Sequence, residues 1–264
     1  MWPWRKVAAL ARHRSLVGCN ICGWRGDHFD GVLHSESATC FNCGSIARDR
    51  FLYRCWTSRI PYSPSARVLE TSPRLGRRYR SRMAHLVEYL ASDYDERAHR
   101  ANMHIDLQAI DLPAQSLDVI LTAHVLEHVA DTDRALSEIH RVLKPGGVAL
   151  IAVPVPQALT MAPDGPEYHG DRTLVYWRFG LDLTDRLRDH GLLTTMLVTE
   201  DFIRRMKTQA PWGIDQPDVH ADELLSGAER YLGDMVSVAS DRECQWLGLA
   251  PSFFFIAWEA RRPE

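Results

Sequence analysis

The chain has 264 residues, of which 45% are hydrophobic and 25% charged, a balance typical of a folded globular protein rather than a disordered or fibrous one. This length allows one large α/β domain with a small appendage. No apolar run approaches the roughly 18 residues that a membrane-spanning helix needs, so we expect no membrane partner. The N-terminal residues lack the continuous apolar core of a signal peptide, which predicts a cytoplasmic protein.

Charge is unevenly distributed along the chain, although the net charge is only −3. Residues 1–60 carry nine Arg and Lys against four Asp and Glu, whereas residues 101–264 carry fourteen against twenty-five. A basic segment of this kind can dock a nucleic acid, but most solvated surfaces with such a modest excess have no charged partner.

Four of the six cysteines form two CxxCG motifs, Cys19-Asn-Ile-Cys22-Gly and Cys40-Phe-Asn-Cys43-Gly. Each motif can turn two thiolates toward one ion, and its glycine allows the tight backbone turn around that ion. Four thiolates suit tetrahedral Zn²⁺ and leave no open coordination position, so we predict a structural zinc ribbon. An iron-bearing, rubredoxin-like site is the alternative.

The segment after the second motif, SIARDRFLYRCW, predicts a helix. Arg48 and Arg50 on this helix either bind a phosphate or form ion pairs within the protein. Cys55 and Cys244 have no partner at ligand spacing, so we expect both to be buried apolar residues. A linker over 61–65 follows the helix and contains two prolines.

Beyond the linker, short apolar runs alternate with helical patterns, as in a parallel sheet covered by helices. The clearest unit is Leu117–Pro154, which reads as strand, loop, helix, Lys-Pro-Gly-Gly turn and strand. Asp131 or Thr132 can cap the helix, and the glycine pair ends it. Such a unit forms a right-handed crossover in an α/β sheet. The other predicted strands are 67–70, 85–93, 102–107, 192–198 and 252–258.

The motif HVLEHV, followed by a helix, LKPGG and an apolar strand ending in proline, resembles the central signature of class I S-adenosylmethionine (SAM) dependent methyltransferases, in the group called type 11. The resemblance runs from Arg67 to the C-terminus and weakens after Asp201. It implies a Rossmann-like α/β fold with a mostly parallel sheet of seven strands, the last antiparallel. The CxxCG-S-x-x-R-x-R segment is similar to bacterial methyltransferases fused to a ribbon. We therefore divide the chain into a zinc-ribbon module with its helix, 1–60, and a methyltransferase domain, 61–264.

The resemblance also implies the cofactor turn. The sequence VLETSPRLG stands where the family has VLDxGxGxG, so Glu70 keeps the acidic position and Gly76 the last glycine. Ser72 and Arg74 replace the first two glycines, which normally let the backbone approach the methionine moiety. Of the nearby arginines, Arg74 is the candidate to meet a ligand carboxylate or phosphate, since it lies in the turn itself.

Asp93, at the end of the second strand, is expected to accept both ribose hydroxyls, with Tyr94 packing on the adenosine. Asp106 is expected to accept from the adenine amine, and Leu107 to pack on the ring. The predicted SAM-binding residues are Glu70, Ser72, Pro73, Gly76, Asp93, Tyr94, Asp106, Leu107 and His124.

Methyl transfer from a sulfonium needs aligned reactants, a desolvated site and, for some acceptors, removal of a proton. The loop 165–171, GPEYHGD, predicts His169 as base or substrate binder, with Glu167 orienting it and His124 as the competing base. The remaining candidate bases are His128 and His220. Residues 176–179 are expected to form an aromatic wall with one cation, and 203–247 a lid over the substrate.

The favoured function is SAM-dependent methylation of a small molecule, such as a metabolite, a natural-product intermediate or an activated sugar. The alternatives are an RNA or protein methyltransferase that docks its substrate through the basic ribbon, and a non-catalytic SAM-binding protein.

Overall fold

The computed structural model describes residues 16–31, 38–61, 63–95, 101–155, 157–169, 172–208, 224, 227–250 and 254–264. In chain order, the strands are Val17–Gly18 (β1), Arg25–Gly26 (β2), Arg67–Thr71 (β3), Glu88–Asp93 (β4), Met103–His104 (β5), Leu117–Ala123 (β6), Leu143–Ala152 (β7), Glu167–Tyr168 (β8), Leu174–Val175 (β9), Leu193–Thr199 (β10), Met235–Ala239 (β11) and Ile256–Arg261 (β12). The α-helices are Ala47–Arg59 (α1), Arg77–Leu86 (α2), Thr132–Val142 (α3), Leu183–Asp189 (α4), Glu200–Thr208 (α5) and Asp241–Leu247 (α6).

Eight strands form the central sheet, in the order β11-β10-β12-β7-β6-β3-β4-β5. Every neighbouring pair is parallel except those of β12, which runs antiparallel to both β10 and β7. This confirms the mostly parallel α/β sheet with an antiparallel last strand. It adds one strand to the predicted seven, because β11 pairs with the outer edge of β10.

Alternate residues of the central strands enter two different cores, one on each face of the sheet. Leu69 and Ile120 face the helices α3, α4 and α5, whereas Val68 and Val119 face α1, α2 and α6. The continuous apolar runs in the sequence follow from this arrangement, since both faces are covered.

The unit around α3 forms largely as its sequence predicts. The Asp131 side chain accepts a hydrogen bond from the Arg134 N–H and caps the helix. The pairing of β6 with β7 jumps from Leu117–Leu143 to Val119–Val148, so the Lys-Pro-Gly-Gly segment bulges out of the ladder. Gly146 has φ +72°, a conformation that favours glycine.

The N-terminal module docks on the second face of the sheet and shares its core. Ile21, Phe29 and Phe51 belong to the same apolar cluster as Val119 and Leu150 of the central strands. Cys55 and Cys244 are both buried, as expected. The predicted boundary between the N-terminal module and the methyltransferase domain at residue 60 remains a prediction. The segments on its two sides bury each other's apolar surface.

Part of the segment interpreted as a lid has a different place in the fold. Within 203–247, β11 completes the sheet edge and α6 supports the N-terminal module. A Cβ on Gly18 of β1 would lie 2.3 Å from the Trp246 ring, which shows how closely the two elements approach. The lid interpretation is therefore corrected for 235–247, while 209–223 lie outside the described residues.

No helix among the described residues is long and apolar enough to cross a membrane.

Candidate active site

A cavity of about 710 Å³ opens at the carboxyl ends of β3, β4 and β6. Parallel α/β sheets bind ligands at this edge, and the volume is typical of small-molecule sites. Most of the predicted cofactor residues line the cavity: Glu70, Ser72, Asp93, Tyr94, Asp106, Leu107 and His124. Two do not, since Pro73 is buried under the turn and Gly76 is the exposed residue before α2.

The glycine-poor turn keeps the backbone shape that a glycine would give. Ser72 has φ +46°, in the left-handed region, at the position where the family has its first glycine. Such a conformation costs a non-glycine residue about 1–2 kcal/mol. Two hydrogen bonds fix it: the Ser72 N–H donates to the Ser92 carbonyl at 2.7 Å, and its hydroxyl donates to Asp93 Oδ2 at 2.9 Å.

Asp93 sits at the end of β4, as predicted, and is only 6% exposed. Besides the Ser72 hydroxyl, it accepts the Asp95 N–H on Oδ1 at 3.1 Å. These bonds hold the carboxylate in place at the edge of the cavity. The neighbouring Tyr94 ring is exposed and packs against His104.

Glu70 is held by two phenols. Its Oε2 accepts from Tyr79 at 2.9 Å and from Tyr89 at 2.7 Å. Burial raises the pKa of Glu70 to about 7, against the two hydrogen bonds, which lower it. The Glu70 carboxylate therefore stabilises the turn after β3, and it can accept a hydrogen bond from a ligand only through its remaining lone pairs.

Asp106 forms a small local turn, in which Oδ1 accepts the Gln108 N–H at 2.8 Å. Leu107 is buried beside it and lines the cavity. The pair is placed at the β5 side of the cavity, next to Asp93 and Tyr94.

Three histidines line the other end of the cavity, and the buried Glu127 lies beside two of them. His124, Glu127 and His128 come from the segment after β6, and His169 from the turn between β8 and β9. His124 Nδ1 lies 3.6 Å from Glu127 Oε1, and His128 Nε2 lies 3.9 Å from the same atom. The His128 and His169 rings are perpendicular, with centroids 4.7 Å apart.

Glu127 was missed by the sequence analysis, although it belongs to the HVLEHV motif. Burial would raise its pKa, but the imidazoles of His124 and His128 outweigh this and hold the pKa below its ordinary value. The sequence feature that could have indicated a role for Glu127 is its position directly before His128, a candidate base. Only the tertiary structure brings that pair to His169.

Glu167 does not orient His169, which corrects the prediction. Its carboxylate is bonded to Arg178 instead, at 2.8 Å from Nε, since the two residues meet across the β8–β9 hairpin. The aromatic wall is also smaller than expected, because Phe179 is buried in the core and only Tyr176 lines the cavity. His220 and residues 170–171 lie outside the described part of the chain.

The four predicted cysteines converge in the N-terminal module. Cys19 and Cys43 have their Sγ atoms 3.7 Å apart, and so do Cys22 and Cys40. A tetrahedral ion with Zn–S bonds of about 2.3 Å would hold its sulfurs about 3.8 Å apart, so these residues fit such an ion.

The knuckle glycines behave as the motif predicts. Gly23 has φ +76° and Gly44 has φ +71°, and the N–H of each donates at 2.9 Å to the carbonyl of the first cysteine of its motif. The two knuckles therefore share one backbone geometry.

The same module forms one wall of the cavity, which the sequence did not indicate. Asp49 pairs with Arg74, and Arg74 also donates to the Gly44 carbonyl at 3.1 Å, so the predicted ligand-binding arginine joins the two parts of the protein. The residues of the module that line the cavity are Ile21, Arg48, Asp49, Leu52, Tyr53 and Trp56.

Arg50 is a structural residue rather than a phosphate ligand. Its guanidinium is fully buried and donates to the carbonyls of Ser45, Ala38 and Leu247 at 2.6, 2.7 and 2.7 Å. It also stacks 3.7 Å from the centre of the Phe29 ring. It thus ties the cysteine knuckles to the end of α6.

Residues 71–151, which contain the turn after β3 and the unit from β6 to β7, match the family described as a methyltransferase domain. The chain is 29% identical over 161 residues to a probable S-adenosylmethionine-dependent methyltransferase of Mycolicibacterium smegmatis, covering 52% of this chain and 62% of that protein. It is 30% identical over 156 residues to an uncharacterised 37.1 kDa protein in transposon TN4556 of Streptomyces fradiae, covering 56% of this chain and 43% of that protein. The chain thus spans less than two thirds of the length of both relatives.

Among solved structures, a SAM-dependent methyltransferase from Archaeoglobus fulgidus superposes with a TM-score of 0.47 at 18% identity, covering 81% of this chain and 94% of that one. The sheet order and the cavity at its carboxyl edge come from the structure of this chain itself. Together with the sequence match over 71–151, they show a methyltransferase domain in this part of the chain.

Proposed function

We propose that the protein is a SAM-dependent methyltransferase that acts on a small-molecule acceptor. The observation that carries this proposal is a single cavity with two chemically different ends. One end offers Asp93, Tyr94 and Asp106, which suit an adenosine, and the other offers His128 and His169, which suit an acceptor with an exchangeable proton.

The sulfonium of SAM supplies the methyl group in an activated form. The protein then has to position the reactants and keep water out. Asp93 is fixed for ribose hydroxyls, while α1 of the module closes one side of the cavity. His169, at the far end, assists loss of the acceptor proton, and His124 lies nearer the cofactor end.

The contacts of the basic residues favour a small acceptor over RNA. Arg74 is paired with Asp49, Arg78 donates to Asn42 at 3.2 Å, and Arg82 donates to the Ile21 carbonyl. Arg50 is buried. These four cations make internal contacts that hold the module on the domain, so they do not form an exposed phosphate-binding surface.

We further propose that the cysteine cluster holds Zn²⁺. Its role is to support α1, and hence one wall of the cavity, because four thiolates leave no open position for chemistry.

Calorimetry of SAM and S-adenosylhomocysteine binding to the purified protein tests the cofactor. Absence of binding would overturn the proposal, whereas binding without any methyl transfer would favour the non-catalytic SAM-binding alternative. The acceptor class is tested with methyl-labelled SAM and three fractions of a cell extract: small molecules, RNA and protein. We expect label in the small-molecule fraction, whereas label transferred only to RNA or to protein would overturn the assignment.

A further inference from the structure

The histidine cluster contains a set of side chains that resembles a metal site. Glu127, His128 and His169 each offer one donor atom, and these three atoms lie within 4.8 Å of one another. They come from two separate segments, the 3-10 helix after β6 and the β8–β9 turn, and they line or underlie the acceptor end of the cavity.

Glu127 is the strongest indication that something is bound here. Its side chain is buried, with 1% of the residue exposed, and neither carboxylate oxygen has a hydrogen-bond partner among the described residues. The nearest imidazole nitrogens, at 3.6 and 3.9 Å, are beyond hydrogen-bond distance. A buried carboxylate without a hydrogen bond is costly, so a positively charged group is expected beside it. The imidazoles of His124 and His128 lie at ion-pair distance, but they supply that charge only when they are protonated.

His128 is oriented as a ligand would be. Its Nδ1 lies 2.7 Å from the Leu174 carbonyl oxygen, to which it donates. Nδ1 therefore carries a proton, and Nε2 lies on the side of Glu127, 3.9 Å from its Oε1. Metal-binding histidines are commonly fixed in this way, by a hydrogen bond from the other ring nitrogen to a carbonyl.

We propose that Glu127, His128 and His169 bind one divalent cation at the acceptor end of the cavity. The side chain of His169 is at most partly buried, so a rotation can shorten the donor separations to the roughly 3 Å that metal–ligand bonds of about 2.0–2.1 Å require. Two imidazoles and one carboxylate suit Mn²⁺, Fe²⁺, Co²⁺ or Zn²⁺ better than Mg²⁺ or Ca²⁺, and they leave coordination positions open.

This inference rests on the proposed function and names its acceptor: a hydroxyl with a second oxygen close enough to chelate the cation. The cation lowers the pKa of that hydroxyl, whose proton is released to solvent. The oxygen then forms a bond to the methyl carbon while the carbon–sulfur bond breaks, leaving the neutral thioether of S-adenosylhomocysteine. His169 would promote loss of the acceptor proton through the ion.

Manganese binding tests the site without any turnover. The protein is treated with a mild chelator until one zinc equivalent remains, then titrated with Mn²⁺, and the free ion is followed by electron paramagnetic resonance. Mn²⁺ is suitable because thiolates select softer ions, so the cysteine cluster competes little for it. We expect about one Mn²⁺ per chain.

His169→Ala should weaken this binding at least 10-fold. Since the residue lies in a turn and is at most partly buried, the variant should fold. Glu127→Gln, which keeps the shape of a buried side chain, should have the same effect. His85→Ala on the exposed side of α2 is the matched control and should bind Mn²⁺ like the wild type.

No bound Mn²⁺ in the wild type, or unchanged binding in both His169→Ala and Glu127→Gln, would overturn the metal site. SAM calorimetry on the same samples separates this result from the proposed function. Manganese binding without SAM binding would support the metal site and contradict the proposed methyltransferase function. SAM binding without manganese binding would support the proposed function and contradict the metal site.

Discussion

The cysteine cluster and the histidine cluster of this protein both bring potential metal ligands together, but by different means. The cysteines lie in two local motifs whose spacing and glycines already define a knuckle. The histidine cluster joins residues 127–128 to residue 169, across a strand, a helix and a long loop. The comparison shows that a site built from local turns is visible in sequence, whereas one built at a sheet edge depends on the fold.

The largest effect on stability is expected from a substitution in the cysteine cluster, which is the site built from local motifs. Cys40→Ser should lose the zinc, because metal-binding free energy of the order of 10 kcal/mol supports such small modules. Since α1 forms a wall of the cavity, SAM binding should weaken as well. Metal analysis and hydrogen exchange over residues 16–61 measure the first effect, and calorimetry the second. Cys244→Ser is the control, and an ordered metal-free module would contradict the prediction.

The assembled site is tested by His169→Ala. Loss of assistance to the acceptor proton should lower kcat by roughly 10²–10⁴-fold and leave SAM affinity nearly unchanged, because His169 lies at the far end from Asp93. Steady-state kinetics and calorimetry on the same variant make the distinction. His124→Ala should change both quantities, and a His169 variant with full kcat would show that positioning alone is sufficient.

The cofactor-binding end of the cavity is intermediate between the cysteine cluster and the histidine cluster. Its acid, Asp93, was predicted from the sequence, but the Ser72 hydroxyl that holds this acid was not. Asp93→Ala should weaken SAM binding by about 1.5–3 kcal/mol, through loss of a charged acceptor for the ribose hydroxyls. Ser72→Ala, which removes only the hydroxyl that holds Asp93, should have a smaller effect in the same direction. Calorimetry that finds equal affinity in Asp93→Ala would place the ribose elsewhere.

The smallest effect concerns Glu70 and pH. Its pKa of about 7 in the folded protein exceeds the usual value of 4.5, so the folded state binds more protons than the unfolded state between these values. Stability should be highest below about pH 4.5 as far as this group is concerned, and should fall as pH rises through 7. We expect a change of about 1–2 kcal/mol after allowing for solvent screening. Urea unfolding at pH 5.5 and 8 should show this slope in the wild type and a flatter one in Glu70→Gln.

The elements that carry these residues were mostly predictable. The unit from β6 to β7 followed from apolar runs, a capping aspartate and a Pro-Gly-Gly stop, all of which act over a few residues. Asp93 was found because parallel strands end at one edge, which fixes the register of a strand-end acid. The predicted and observed bounds of the strands differ by a few residues. For example, the last strand was expected over 252–258, and β12 is observed at Ile256–Arg261.

The errors arose where a side chain had several possible partners. Glu167 and His169 are two residues apart, but in a hairpin Glu167 meets Arg178 across the strands. Arg50 and Arg74 looked available for a phosphate, yet docking of the module supplies carbonyl and carboxylate acceptors for both. Sequence spacing cannot show which of these partners is closer.

The sequence by itself determined the cysteine knuckles, the α/β sheet and the acid at the end of β4, because each depends on local geometry or on strand periodicity. Only the tertiary structure decided that α1 forms a wall of the cavity and that α6 supports the cysteine module. It also decided that Glu127 is buried beside His128 and His169 with no hydrogen bond from the described part of the chain. The physical reason is that these features depend on which distant segments pack together, and burial, which sets the cost of an unpaired charge, exists only after that packing.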